Sequence, residues 1–389
     1  MPGFEVVGKE ERDALVEIFD NDNGILFAHG FDALRHNRFR VREFEKAFAE
    51  RLGAPHAQAV CSGSAALLVG LKALGIGPGD EVITQAHTFV ATVEAILLCG
   101  AVPVITEIDG TYNMDPEDLA KKITAKTRAI IPVHMAGVAA RMDKILSVAR
   151  SSGIAVLEDT AQGIGAKFGG KHLGTLGDVG TFSLDFGKTI TTGEGGMVLS
   201  NSKAVHFEAM AFHDHGHEYN PTVGRADDTR HGWGFNFRMS EMNAAVGLVQ
   251  LRKLDELLRR ARKNKESIKT RLKSLPQITF REIPEGSEEN YDSIIFSYAD
   301  RHLAEKALLN LRASGLGTKN IPDALRWHFA GYWEHMLNGT PYEKTFEGAW
   351  PRSRDLLERS VALPVMVNWD DAFIEAYAEK ALAALDVKG

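Results

Sequence analysis

The stretch from Arg128 to Ala166 limits what this chain can fold into. RAIIPVHMAG is a continuously apolar run, ARMDKILSVARSSG is an amphipathic helix ending at Gly153, and IAVLEDTAQGIGA is a second apolar run. Strand, helix, strand with no hairpin turn is a parallel crossover, and strands apolar on both faces need cover on both sides. The same pattern appears upstream. AQAVCS is followed by the helix of SGSAALLVGLKALG, EVIT by the apolar helix of HTFVATVEAILLCG, and VPVITEI by a helix start at Asp115-Pro116-Glu117-Asp118. There Asp caps the end, Pro takes the first position and acids fill the first turn. The fold class is α/β. A carboxylate, Asp159, is delivered to the carboxyl end of a strand, the edge where such sheets bind ligands. The competing reading of Asp159 is a cap on the next turn.

Around this sheet the chain divides. VREFEKAFAERLG is a helix closed by Gly53, and ILFAHGFDALRHNRFR before it has no period: a partner contact, a substrate wall or an ordinary packed connection. From Ser240 a long helix runs to a stop at Pro276, apolar first and basic later. A helix of that kind leaves one domain and enters another, so the expected division is 1–250 and 251–389. The second part alternates strand and helix: ITFREI, SIIFSYA, HLAEKALLNLRASG and WDDAFIEAYAEKALAAL. The 389 residues are 44% hydrophobic and 25% charged, with net charge −7 and no long charged block, which argues against a nucleic-acid or membrane surface. Cys61 and Cys99 form no disulfide framework, and the N-terminus lacks a signal-peptide core, so a cytoplasmic protein is expected.

Four features carry chemistry. Ser62-Gly63-Ser64 opens a helix whose free N–H groups can seat a phosphate, although Ser-Gly is also plain capping. Phe89 follows a strand end, as a ligand-facing ring or as core. Lys188 lies on a glycine-rich loop between TFSL and GMVLS, either a surface lysine or a sheltered amine able to attack a carbonyl. Gly187-Lys188-Thr189 is not a nucleotide-triphosphate loop, because Phe182 stands where that motif needs glycine. The polar region 201–240 carries His213, His215 and His217, which would share a face in an extended segment. Their spacing matches no closed zinc site and no cysteine is near, so a polar substrate loop, and no metal, is expected.

Together these are the parts of a pyridoxal phosphate site, and the wording resembles the DegT/DnrJ/StrS sugar aminotransferases over nearly the whole chain. The matching stretches are SGSAALLVGLKALGIGPGDEVI, HTFVATVEAI, LEDTAQGIGA, GDVGTFS, KTITTGEGGM and GFNFRMSEMNAAVGLVQL. The resemblance implies the aspartate aminotransferase fold, fold type I, with a large cofactor domain and a small C-terminal one. It implies Lys188 as the Schiff-base lysine, Asp159 as partner of the pyridinium nitrogen and Phe89 as the stacking ring. Gln162 would lie against the cofactor, with Gly63, Ser64 and Ser183 at its phosphate. Asn236 would reach that phosphate from the second subunit of a homodimer. The implied reaction moves an amino group from glutamate to a keto sugar of a cell-surface polysaccharide such as lipopolysaccharide.

One departure stands out: Asp185-Phe186-Gly187 replaces the His-Pro pair that many members carry before the lysine. MPGFE, HGFD, HDHGH, RKNKESIK and FREIP look more like the branch that makes 8-amino-3,8-dideoxy-manno-octulosonate from a free sugar acid. The alternative acceptor is a nucleotide-linked ketosugar. Dehydration is disfavoured by the intact lysine and by two cysteines, too few for an iron–sulfur cluster of the usual kind. A cofactor-binding regulator without turnover is disfavoured by Lys188 and Asp159 together.

Overall fold

The computed structural model describes residues 3–387; Met1, Pro2, Lys388 and Gly389, which fall within the expected ranges, lie outside it. A seven-stranded sheet forms the centre. Its members are β1 (His56–Val60), β2 (Glu81–Gln85), β3 (Val102–Thr106), β4 (Thr127–Ile131), β5 (Ala155–Asp159), β8 (Val179–Ser183) and β9 (Gly196–Ser200). Between β5 and β8 a hairpin of β6 (Lys167–Phe168) and β7 (Lys171–His172) turns aside. The spatial order is β1-β9-β8-β5-β4-β2-β3, parallel except for β9, which runs antiparallel to both neighbours. The carboxyl ends of β1, β2, β4, β5 and β8 therefore share one edge.

Helices cover both faces, as the doubly apolar strands require. On one face pack α3 (Gly63–Ala73), α4 (Ala91–Leu98) and α7 (Lys203–His213), with Val82, Ile131, Leu157 and Val198 beneath them. On the other lie α2 (Arg40–Leu52) and α8 (Glu241–Leu272) over Met197 and Leu199. There, too, α5 (Pro116–Lys122) and α6 (Met142–Ser152) sit over Ile83, Ile130 and Val156. Successive strand residues enter opposite cores, the period-2 signature of a buried strand. The expected caps are in place. Asp115 accepts the N–H of Glu117, Ser240 accepts that of Asn243, and Gly53 and Gly153 end α2 and α6 in the left-handed region.

A second sheet, β10 (Thr279–Phe280), β12 (Ser293–Ser297) and β13 (Ser360–Pro364), is antiparallel. It packs with α9 (Arg301–Ala313), α13 (Asp371–Leu385) and the last turns of α8. A two-residue strand, β11 (Ser287–Glu288), pairs with β6. Residue 250 falls inside α8, which crosses without a break from the first core to the second. Helix α1 (Lys9–Asn21) packs along it, with Glu11 accepting from Gln250 at 2.8 Å and from Lys253 at 2.7 Å. Residues 321–357, with α10 (Leu325–His328), α11 (Glu334–Leu337) and α12 (Pro351–Glu358), turn back onto the large sheet and bury Phe329, Trp333 and Trp350 against Val90, Ile105 and Tyr112.

Three expectations need correction. The polar region at 201–240 begins as helix: Ser202 caps α7, and only residues beyond His213 form the loop. His87–Val90 is not helical, because its backbone is taken by the C-terminal part: Thr88 N–H donates to His328 O and Val90 N–H to Trp327 O, both at 3.0 Å. Strand β5 stops at Asp159, after which the chain turns.

Candidate active site

A cavity of about 190 Å³ opens at the carboxyl edge of the sheet. Its wall includes Gly63 and Ser64 at the start of α3, Phe89 after β2, Asp159 at the end of β5, Gln162 in the turn beyond, Ser183 at the end of β8 and Lys188 on the loop to β9. Seven of the eight sequence-derived residues thus meet in one place. Asn236 does not: it is exposed and bridges Asp214 outside this cavity.

Each position has a local cause. Ser62 caps α3 by accepting the N–H of Ala65 at 3.0 Å, and its carbonyl takes the N–H of Ala66. The N–H groups of Gly63 and Ser64, first in the helix, are left without a partner among the described residues. A Cβ at Gly63 would lie 2.6 Å from Cβ of Ser183, so only glycine lets the helix start meet the end of β8. Gln162 spends its amide oxygen on Ala136 N–H at 2.9 Å, leaving its NH₂ as the free end. Asp159 is 3% exposed, and burial pushes its carboxyl up; hydrogen bonds from Thr92 and Ala161 and the charge of Lys188 work against that rise. Phe89 is 43% exposed, a large apolar face turned out of the core beside the ring of His328, 5.3 Å away. The Lys188 side chain is 15% exposed, with Nζ 3.5 Å from an Asp185 carboxylate oxygen.

The lysine loop is held from outside the cavity. Asn243 Nδ2 donates to Thr192 O at 2.8 Å and Glu194 O at 2.9 Å, and Gln250 accepts Thr191 N–H at 3.3 Å. That accounts for the MNAA and VQL part of the motif beginning GFNF. Behind Asp159, the fully buried Glu158 accepts from the backbone N–H groups of Gly174, Leu176 and Gly177 and bonds His134 Nε2 at 3.0 Å. It faces away from the cavity and fixes the GDVG turn. Thr88, Thr92, Asp185 and Glu194 also line the cavity and were not picked out as site residues from the sequence. Only Asp185 gave a signal, as the departure before the lysine.

The three histidines go separate ways. His213 is buried at the end of α7 against Gln58, His217 bonds Asp228 at 3.0 Å, and His215 is exposed. Among the described residues no group of three or more His, Cys, Asp or Glu is placed to hold a metal ion.

An acid at one end of the cavity, unpaired N–H donors with the positive end of a helix dipole at another, an aromatic face and an amine between them suit a phosphorylated pyridine aldehyde. This fold and site define the pyridoxal-phosphate-dependent transferases of the aspartate aminotransferase type, fold type I. A model of the DegT/DnrJ/EryC1/StrS aminotransferase family matches residues 32–380, and the chain belongs to that family. GDP-perosamine synthase of Caulobacter vibrioides is 44% identical over 226 residues, 57% of this chain and 58% of that protein. GDP-perosamine synthase of Vibrio cholerae is 34% identical over 327 residues, 83% of this chain and 85% of its own length. The aminotransferase of Psychrobacter cryohalolentis, 26% identical, superposes with a TM-score of 0.84 over 97% of this chain and 96% of its own. By family and by fold the protein is an aminotransferase.

Proposed function

We propose that the protein moves an amino group from glutamate to the carbonyl of a sugar used in a cell-surface polysaccharide, such as lipopolysaccharide. The observation that carries this reading is the meeting of seven residues from four separated stretches in one cavity. Bound there, pyridoxal phosphate would supply an electron sink for the carbanion formed beside the amino group. Lys188 would hold the aldehyde end, and its amine would take up and release a proton. Asp159 would keep a positive charge on the ring nitrogen. Phe89 would cover the ring and exclude water, Gln162 would orient it, and Gly63, Ser64 and Ser183 would hold the phosphate. The large unit, 1–250, carries these groups, and 251–389 closes over them. Asn236 would complete the phosphate site of a second copy, in a homodimer.

For the acceptor, MPGFE, HGFD and HDHGH favour a free octulosonate-type sugar acid, aminated to the 8-amino-3,8-dideoxy sugar. The relatives named GDP-perosamine synthase favour a nucleotide-linked keto sugar. No helix among the described residues is long and apolar enough to cross a membrane, and two free cysteines suit a reducing cytoplasm.

Borohydride reduction of the protein loaded with pyridoxal phosphate should tag the peptide containing Lys188. Protein aminated by glutamate should then recover its aldehyde absorbance with one acceptor class in a panel of oxidised octulosonates and nucleotide-linked keto sugars. An untagged Lys188, or no recovery with either class, overturns the reading.

A further inference from the structure

Neither oxygen of Asp159 is bare. Oδ1 accepts the N–H of Ala161 at 3.1 Å, and Oδ2 accepts the hydroxyl of Thr92 at 2.8 Å. Thr92 is fully buried on the first turn of α4, and its oxygen lies 2.7 Å from the hydroxyl oxygen of Thr88, also fully buried. A hydroxyl has one proton to give. Thr92 gives its proton to the carboxylate, so the 2.7 Å contact is filled by the proton of Thr88, whose other acceptor, Phe89 O, is farther at 3.3 Å; the order runs Thr88 to Thr92 to Asp159.

Resting on the reading above, we propose that Thr92, oriented by Thr88, is a positioning residue that holds Asp159 as a carboxylate facing the cofactor's ring nitrogen. A carboxylate has about four lone-pair sites. Thr92 and Ala161 take one on each oxygen, which fixes the plane of the group and leaves the others for the cavity. A buried acid with fewer donors keeps its proton to higher pH. It then has no charge with which to hold a pyridinium. Thr88 and Phe89 lead into α4, and the N–H of Thr92 donates to Phe89 O at 3.1 Å, so the segment that supplies the proposed stacking ring also supplies the donor to the acid. That segment is anchored by the backbone bonds from Thr88 and Val90 to His328 and Trp327.

The titratable groups around Asp159 on other elements are Lys188, Asp185 and Glu194, which line the same cavity from the β8–β9 loop, and His134 beyond β4, and all stay unchanged in the test. Thr92→Val keeps the shape and removes the donor; Thr92→Ser restores it. In Thr88→Val the Thr92 hydroxyl still donates to Asp159 but is no longer oriented. The readout is the affinity of the apoprotein for pyridoxal phosphate between pH 5 and 9, by fluorescence quenching, with thermal melting alongside. Losing a hydrogen bond to a charged group is worth roughly a factor of ten or more, about one pH unit. The sign follows: with Thr92→Val the carboxyl rises, so affinity is lost about one unit earlier as pH falls. Thr92→Ser should follow wild type, and Thr88→Val should move the same way by less. A Thr92→Val curve that coincides with wild type, or a lowered melting temperature with an unmoved curve, overturns the proposal. Wild-type protein that fails to bind pyridoxal phosphate at any pH overturns the proposed function as well, so the wild-type curve separates the two failures.

Discussion

Burying a carboxylate as deeply as Asp159 costs free energy that packing alone does not return. The fold spends two donors and a neighbouring ammonium on keeping the charge. That investment makes sense only if the charge is used. Asp159→Ala removes it and leaves Phe89, Gly63, Ser64 and Ser183 in place. Amino transfer from glutamate, followed by the loss of aldehyde absorbance, should slow by about 10²–10³-fold while the phosphate end still holds the cofactor. Turnover within a few-fold of wild type would show that the charge is not used. The meeting of Lys188 and Asp159 at one cavity was legible in the sequence because their motifs flank recognisable strands. Thr92 was not. A threonine in an apolar helix reads as core, and its partner lies on β5, separated from β2 by β4 in the sheet. Only the assembled sheet brings the two together.

Among the elements, the lysine loop depends most on others. Residues 184–195 have no regular structure of their own; beside bonds within the loop, Asn243 and Gln250 of α8, the N–H of Gly3 and the amide of Asn290 hold them. Gly196 lets the loop exit pass the start of α3, since a Cβ there would lie 2.2 Å from the Ser62 carbonyl oxygen. Asn243→Leu keeps the branched shape and leaves Thr192 O without a donor, while Glu194 O keeps only that of Thr192 Oγ1, at a cost of about 1–3 kcal/mol. The expected outcome is a lower melting temperature and, more specifically, faster loss of pyridoxal phosphate on dilution; an unchanged rate of cofactor loss would mean the loop holds its own shape. Strands β1, β2, β4, β5, β8 and β9 were readable because each is a short apolar run between turn residues. Helix α7 was masked by its composition: KAVHFEAMAFH mixes aromatic and histidine side chains of middling helix propensity, and the following histidines drew the segment into the loop. Strand β13 has only five residues, SVALP, and takes its pairing from β12, more than sixty positions earlier.

At the scale of the whole molecule, one sequence-derived residue remains apart. The segment bearing Asn236 is firmly built. Asp214, fully buried, binds Arg225 at 2.7 Å, Tyr219 at 2.5 Å, His29 at 3.1 Å, and Arg238, tying the 214–238 loop to the 27–32 turn. Around it Phe27, Phe31, Trp233 and Phe235 present exposed rings. A well-bonded segment that carries Asn236 away from its own cavity makes sense if, as proposed, it serves the cavity of a second copy, and in a two-fold dimer each copy then lends what it receives. The arrangement can be tested by mixing two crippled variants, Lys188→Ala and Asn236→Ala, after co-expression. If Asn236 crosses, a mixed dimer contains one site with an intact lysine from one chain and an intact asparagine from the other. Its second site lacks both. With random pairing half of the dimers are mixed, so about a quarter of wild-type activity should return. If Asn236 serves its own chain, every site in every dimer lacks one of the two groups, and activity should stay at the average of the two parents.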